Sequence, residues 1–207
     1  MSATSKVVVG AAVSVDGFIA DRTDGVGPLF DWYFNGAEEL PVAAGQYRPR
    51  DGYRPAPESR TFLRRTWPRI GVAVIGRRLF DLTDGWTGKP ALGDHVIVVT
   101  HRDPGDWPSR YPGAPFEFVH DGIAAAVKRA RDLAGDRNVS VNAGDLAGQA
   151  MLAGLVDRIE MSVAPVVFGT GVRFFGDHEI PPTMLSNPAV IESDRVTHLS
   201  YDVVRPR

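Results

Sequence analysis

The stretch SVNAGDLAGQAMLAGL, residues 140–155, runs from the end of a predicted strand through a turn of small residues into a predicted helix. Asn142, Ala143 and Gly144 form the join, where bulky side chains are missing. Small residues let a ligand reach the free N–H groups of a helix start, which bind anions such as a pyrophosphate. Close helix–strand packing, or a turn with positive φ, is the alternative explanation for Gly144. Asp145 is the predicted cap of this helix.

Strands and helices alternate on both sides of this turn. A continuous β-branched run at residues 7–9 is typical of a strand buried on both faces, and further predicted strands occur at residues 72–75, 95–100, 116–119 and 138–141. Helical patterns separate several of these runs. The pattern predicts an α/β protein with a mostly parallel sheet and helices on its faces.

The C-terminal part of the chain has a different pattern. Ile159, Met161 and Val163 alternate with polar residues, and so does THLSYDVV at residues 197–204. Such alternation is typical of antiparallel strands. We therefore predict one domain over residues 1–207 with a mixed sheet whose C-terminal strands are antiparallel.

Residues 36–60 are rich in Pro, Gly and charged residues and are predicted to form a long loop.

Composition narrows the class of function. The 207 residues are 43% hydrophobic, and 23 Lys and Arg nearly balance 25 Asp and Glu. The chain therefore lacks the excess of positive charge that attracts nucleic acids or anionic membranes. This favours a small-molecule substrate. No cysteine is present, so disulfides and thiolate chemistry are excluded. No apolar run reaches the roughly 20 residues of a membrane helix, and no secretory signal pattern is found, so we expect a cytoplasmic protein.

Two further strand ends carry residues suited to anions. VIGRRLF at residues 74–80 places Gly76 before a predicted helix, with Arg77 and Arg78 in its first turn. VVTHRDP at residues 98–104 ends in a hydroxyl, an imidazole and a guanidinium, a set that can hold a ribose 2′-phosphate and favours NADP over NAD. Solvated arginines in the first case and an ordinary polar turn in the second are the alternatives.

The chain resembles the dihydrofolate-reductase-like family, in the branch of the reductase domain of riboflavin-biosynthesis enzymes. VSVDGFIA (13–20), IGRRLFD (75–81), VVTHR (98–102), NAGDLAGQAML (142–152) and VDRIEMSVAPVVFGTGVRFFG (156–176) follow the order and spacing of the family's motifs. The resemblance implies a three-layer fold, NADPH as cofactor and a homodimer. It also implies a reductase of pterin-like, heteroaromatic or aminouracil-ribotide substrates. A noncatalytic NADP-binding protein and a dihydrofolate reductase are the alternatives.

The resemblance also assigns residues to the cofactor. It places Ala11 and Ala12 beside the nicotinamide, and Gly17, Phe18 and Ile19 along its ribose. The phosphates would be bound by Gly76, Arg77, Arg78 and Leu79 together with Asn142, Ala143, Gly144, Asp145 and Leu146. The adenosine end would be held by Thr100, His101 and Arg102.

The substrate is expected between the first strand, the aromatic segment LFDWYF and the glycine loop 168–171. Its candidate contacts are Asp16, Trp32, Phe168, Gly169 and Gly171. Asp16 and Asp31 are the candidate catalytic residues. Asp31 is the carboxylate considered for protonation of the substrate, and Asp16 is an alternative polar anchor at the pocket mouth, although Asp16 could be only a turn former and Trp32 only a core aromatic. The five histidines lack metal-ligand spacing, so no metal site is predicted.

Overall fold

The computed structural model describes residues 5–205 as an eight-stranded sheet with helices on both faces and a separate two-stranded ribbon. The strands are β1 (Val7–Ser14), β2 (Phe18–Ala20), β3 (Ile70–Gly76), β4 (His95–Val99), β5 (Phe116–Val119), β6 (Asn138–Asn142), β7 (Arg158–Ala164), β8 (Val172–Arg173), β9 (Ala189–Ser193) and β10 (Val196–Asp202). The helices are α1 (Pro57–Thr66), α2 (Arg77–Thr83), α3 (Trp107–Arg110), α4 (Gly122–Ala134) and α5 (Asp145–Leu152), with short 3-10 segments at Gly27–Tyr33, Trp67–Arg69 and Asp84–Gly88.

The strand order in the large sheet is β5-β4-β3-β6-β1-β7-β10-β9. The strands from β5 to β7 in this order are parallel, whereas β10 pairs antiparallel with β7 and β9 pairs antiparallel with β10. The predicted fold class, a mostly parallel sheet with antiparallel C-terminal strands, is therefore confirmed. The ribbon pairs β2 with β8 and lies beyond the end of β1.

The core is divided by the sheet because successive side chains of a strand point to opposite faces. Val9 of β1 packs with Val127 of α4 and Ala147 of α5 on one face. On the other face Ala12 belongs to a second cluster that includes Trp32 and side chains of α1. Each face of β1 is thus covered by apolar side chains, which accounts for its continuous β-branched sequence.

The predicted loop over residues 36–60 is shorter than expected, because α1 already begins at Pro57. Proline suits the first helical position, where its missing N–H has no partner to lose. Phe62 and Leu63 of this helix are buried against the sheet, and tertiary packing therefore extends the helix into a segment with a weak local pattern. The remaining irregular segment is held down where Leu40 pairs with Tyr53.

Among residues 5–205, no helix has the length and apolar character that a membrane span requires.

Candidate active site

The candidate phosphate and adenosine residues lie at one edge of the sheet, the edge formed by the carboxyl ends of the parallel strands. The neighbouring strands β4, β3, β6 and β1 are parallel, so their carboxyl ends lie side by side. These ends lead to Thr100, Gly76, Asn142 and Ser14 in that spatial order. The four strands span about 14 Å across the sheet, given a spacing of about 4.8 Å between neighbours. The predicted adenosine residue Thr100, the two glycine helix starts and the end of β1 thus follow one another across the sheet.

The two glycine helix starts are adjacent in space. Gly76 precedes α2 and Gly144 precedes α5, and no side chain of the described residues caps the start of either helix. A Cβ atom at Gly76 would lie 3.7 Å from Cδ1 of Leu146 in the first turn of α5. Gly144 has φ of 98°, and a Cβ atom there would lie 3.5 Å from Cδ1 of Ile19. Positive φ thus favours glycine at this position. Gly76 is half-buried, whereas Gly144 is buried and its N–H donates to the carbonyl of Phe174 at 2.7 Å.

A cavity of about 430 Å³ lies between these helix starts and the ribbon. Its charged and titratable lining residues are Arg22, Arg78, Asp145, Arg173, Asp177 and His178. Guanidinium groups in such a setting suit a phosphate, because they form charge-assisted hydrogen bonds with its oxygens. The sequence interpretation missed Arg22, Arg173 and His178, since only the pairing of β2 with β8 and the turn after β8 bring them to the cavity.

Asp145 does not cap α5, contrary to the sequence expectation. Gly144 occupies the capping position, and Asp145 is the first residue of the helix. Its Oδ1 pairs with Nε2 of His178 at 2.7 Å, and its Oδ2 accepts a hydrogen bond from Nε2 of Gln149 at 2.6 Å. These partners draw the carboxylate away from the helix N–H groups.

Arg78 is held by the turn that follows β2. Its Nε and Nη2 donate to the two carboxylate oxygens of Asp24 at 2.7 and 2.8 Å. Asp21 shapes this turn, because its Oδ1 accepts from the backbone N–H groups of Thr23 and Gly25 at 2.7 and 2.9 Å. The arginine therefore reaches the cavity as part of an ion pair.

Arg77 lies in a separate network with the residues after β4. Its Nε donates to Oδ1 of Asp81 at 2.7 Å, and Nη2 of Arg102 donates to Oδ2 of the same carboxylate at 2.8 Å. The hydroxyl of Thr100 accepts from the backbone N–H of Arg102 at 3.0 Å, and His101 is exposed beside it. Two arginines and a hydroxyl thus gather at the predicted 2′-phosphate position, together with one carboxylate.

Asp16 joins the end of β1 to the glycine loop. Its Oδ1 accepts from the Ser14 hydroxyl at 2.6 Å and from the N–H of Phe168 at 3.2 Å, and its Oδ2 accepts from the N–H of Gly169 at 2.6 Å. The hydrogen bond from Ser14 is the largest of the effects that lower the pKa of Asp16 below its usual range, and the two backbone N–H groups add to it. The carboxylate is therefore ionised at neutral pH and acts as an acceptor that orders the loop.

Phe168 and Gly169, two of the predicted substrate-binding residues, thus lie beside Asp16. A methyl group at Gly171 would overlap the carbonyl oxygen of Ala20, so glycine lets this loop pass close to the ribbon. Val15 and Val167 flank the contact with 65% and 71% of their surface exposed.

Trp32 and Asp31 are neighbours in the chain but lie in different environments. Trp32 is only 1% exposed and stacks on Tyr33 with ring centroids 3.8 Å apart. Its indole N–H has no hydrogen-bond partner in the described part of the chain. Asp31 is exposed on the same 3-10 segment. The geometry gives Trp32 the position of a core aromatic and leaves Asp31 at the surface.

A buried polar cluster lies on the Ala12 face of the sheet. His198 forms hydrogen bonds with the hydroxyls of Ser59 and Ser162, both at 2.9 Å, and Phe62 stacks on its ring. Burial lowers the pKa of His198 from 6.5 to about 4, so the ring is neutral at physiological pH. Ser162 is the register partner of Ala12, which places the cluster next to the predicted nicotinamide residue. Sequence alone gave no signal for it, because its members come from α1, β7 and β10.

No protein-family model and no curated protein matches the chain by sequence. Solved structures do match it by fold. A Shewanella sp. PV-4 protein assigned to riboflavin biosynthesis has a TM-score of 0.65 and 18% identity, over 97% of this chain and 99% of that one.

Two further structures extend the comparison. A diaminohydroxyphosphoribosylaminopyrimidine deaminase/5-amino-6-(5-phosphoribosylamino)uracil reductase of Thermotoga maritima has a TM-score of 0.61 and 12% identity, over 97% of this chain and 57% of its own. Enterococcus faecalis dihydrofolate reductase, in complex with NADP(H), has a TM-score of 0.53 and 14% identity, over 97% of both chains. The protein therefore has the dihydrofolate-reductase-like fold. Riboflavin-biosynthesis reductases are among the solved proteins that share it.

Proposed function

We propose that the protein is an NADPH-dependent reductase that delivers hydride to a small heteroaromatic, pterin-like or aminouracil-ribotide substrate. The order of the candidate residues along the sheet edge is the observation that carries this proposal. The ends of four adjacent strands lead to Thr100, Gly76, Asn142 and Ser14 in turn. This is the spatial order in which an extended dinucleotide presents its adenosine, phosphates and nicotinamide. Ligands of open α/β sheets bind at this edge.

The residues present fit such a cofactor. The half-buried Gly76 at the start of α2 and the arginine-lined cavity beside the start of α5 suit a pyrophosphate. Arg22 and Arg173 of the ribbon would add to the charge that holds it. The adenosine end would be held by Thr100, His101 and Arg102, and the nicotinamide side by Ala11, Ala12, Gly17, Phe18 and Ile19.

NADPH, when bound, supplies the hydride, so the protein needs mainly to position the substrate and exclude water. Ala12 is small and buried on the face that carries Trp32, Phe62 and the Ser59–Ser162–His198 cluster, so this part of the sheet is shielded from water. The ionised Asp16 fixes the loop with Phe168 and Gly169 as one wall of the substrate site. Asp16 cannot donate a proton in that state, and Asp31 is the remaining candidate donor.

The structures of riboflavin-pathway reductases among the matches support the choice of substrate class. An aminouracil ribotide is the first substrate to test, since opening of its ribose to ribitol needs only hydride delivery and a proton. Pterins and dihydrofolate come second, because a pterin needs a group that protonates its ring, whereas the carboxylate of α1, Glu58, is exposed and the neighbouring Ser59 is hydrogen-bonded to His198.

We further propose a cytoplasmic homodimer. Strand β9 is an edge of the sheet, and unpaired sheet edges favour association with another chain. Val190 on β9 and the nearby Met184 and Val204 are exposed at 51%, 74% and 50%, respectively. Sedimentation of the purified protein should give the mass of two chains, and a monomer at micromolar concentration would contradict the proposal.

The test of the reductase function is NADPH oxidation, followed by absorbance, with a panel of aminouracil ribotides, pterins, quinones and nitroaromatics. We expect turnover with at least one heteroaromatic substrate. The Asp31→Asn and Asp16→Ala variants should lower turnover, and Glu117→Gln, a surface carboxylate paired with Arg129, should not. NADPH binding without oxidation across the panel would instead favour a noncatalytic NADP-binding protein.

A further inference from the structure

The carboxylate of Asp81 connects the two guanidinium groups nearest to the predicted 2′-phosphate position. It accepts one hydrogen bond from Arg77 and one from Arg102. Arg77 also donates from Nη1 to the backbone carbonyls of Arg102 and Asp103, at 3.2 and 2.9 Å. An acidic side chain is therefore fixed within the group of cations that would meet the 2′ substituent of a bound dinucleotide.

The two arginines differ in what they can still bind. The Arg77 side chain is 19% exposed and is tied to Asp81 and to the two carbonyls, whereas the Arg102 side chain is 66% exposed. Within residues 5–205, the Nε and Nη1 groups of Arg102 make no hydrogen bond. A phosphate can accept hydrogen bonds from Nε and Nη1 while Nη2 continues to donate to Asp81. Both anions would then share one guanidinium, and their like charges would oppose each other.

We infer that Asp81 sets the preference of the site between NADPH and NADH. This inference rests on the proposed function, because it assumes that the adenosine end of a dinucleotide lies beside Thr100 and Arg102. Asp81 weakens the binding of the 2′-phosphate by charge repulsion. The same carboxylate can accept a hydrogen bond from a free 2′-hydroxyl, as acidic residues do for NAD in other α/β folds.

A different reading is that Asp81 only belongs to a surface ion pair. Such pairs contribute little on their own, and losing one would affect both dinucleotides equally. A surface ion pair therefore predicts an unchanged ratio of NADPH to NADH affinity, whereas charge repulsion predicts a higher ratio when Asp81 is removed. Charge repulsion requires that the removal of Asp81 favours the 2′-phosphorylated ligand alone.

The experiment compares wild type, Asp81→Asn and Asp81→Ser by calorimetric titration with NADPH and NADH. Adenosine 2′,5′-bisphosphate and 5′-AMP serve as fragments that report on the adenosine end. Glu117→Gln is the matched control, because the Glu117 side chain is also 39% exposed, is also paired with an arginine and lies away from this edge. The titrations are repeated at low and high salt.

We expect Asp81→Asn to bind NADPH and adenosine 2′,5′-bisphosphate about tenfold more tightly at low salt, an effect that shrinks in high salt. Affinity for NADH and 5′-AMP should stay the same or fall, and the control should match wild type. An unchanged or lower ratio of NADPH to NADH affinity in both Asp81 variants would overturn the inference alone. If wild type binds neither dinucleotide, the proposed function itself fails and the inference fails with it.

Discussion

The carboxylate of Asp16 accepts a hydrogen bond from the backbone N–H of Gly169 at 2.6 Å and so links the end of β1 to the loop after β7. Ser14 and Phe168 complete the same contact. The residues come from segments 153 positions apart in the chain, and they meet where the substrate is expected.

Replacement of Asp16 by alanine should therefore loosen this loop. We expect kcat/KM for the best substrate to fall about tenfold, because hydrogen bonds to a charged acceptor are lost. Thermal stability should change little, since the side chain is exposed. Hydrogen exchange should become faster in peptides that cover residues 166–171 and stay the same in β3. Unchanged exchange in that loop would show that Asp16 does not order it.

Gly144→Ala should destabilise the protein. The residue has φ of 98°, which side chains with a Cβ atom rarely adopt. The expected loss in free energy of unfolding is about 1 to 3 kcal/mol, measured by denaturant titration. Gly10→Ala is the control, because Gly10 lies in β1 without positive φ and a Cβ atom there makes only ordinary contacts. Equal stability of the two variants would contradict the backbone assignment at Gly144.

Gly76→Ala should separate binding from stability. A Cβ atom at Gly76 would meet only Leu146, at the ordinary distance of 3.7 Å, and the backbone there has no positive φ. The melting temperature should therefore stay within error of wild type. NADPH affinity should fall about tenfold, because the methyl group covers the backbone that a phosphate approaches. Wild-type affinity would place the pyrophosphate elsewhere.

Stability should depend on pH through His198. Burial lowers the pKa of this residue to about 4 in the folded protein, against 6.5 in the unfolded chain. The unfolded chain therefore takes up a proton first as pH falls. The free energy of unfolding should decrease between pH 6.5 and pH 4 by about 3 kcal/mol in total, and this contribution should level off below pH 4.

The measurement is urea unfolding at several pH values, with His198→Asn for comparison. The variant should be less stable at pH 7, because the contacts with Ser59 and Ser162 change. Its stability should also fall less steeply from pH 6.5 to pH 4 than that of wild type. Parallel pH profiles for the two proteins would show that His198 does not account for the dependence.

The sequence predicted the parts of the structure that have strong local patterns. The β-branched run at Val7, Val8 and Val9 lies in a strand buried on both faces, and the glycines at 76 and 144 precede helices. These features depend on residues close together in the chain, so periodicity and turn residues were enough to find them. Helix α1 was missed in part because its start, Pro57, falls at the end of a Pro-rich segment, and because packing of Phe62 and Leu63 supplies much of its stability.

Contacts between distant segments could not be predicted in this way. Ser59 and His198 are 139 positions apart, and only the order of strands in the sheet brings them together. Asp145 shows the same effect within the candidate site. Local sequence predicts a cap, but His178, 33 positions further along the chain, binds the carboxylate instead. The pairing of Asp81 with Arg102 likewise appears only when β3 and β4 lie side by side.

The cofactor assignment is the central claim, and fluorescence titration of wild type and Arg102→Ala with NADPH and NADH tests it most directly. Within residues 5–205, Nε and Nη1 of Arg102 make no hydrogen bond beside Thr100, so we expect wild type to bind NADPH more tightly than NADH. Arg102→Ala should narrow this difference, chiefly by weaker binding of NADPH. Equal affinity of wild type for the two dinucleotides, or a difference that Arg102→Ala leaves unchanged, would contradict the claim.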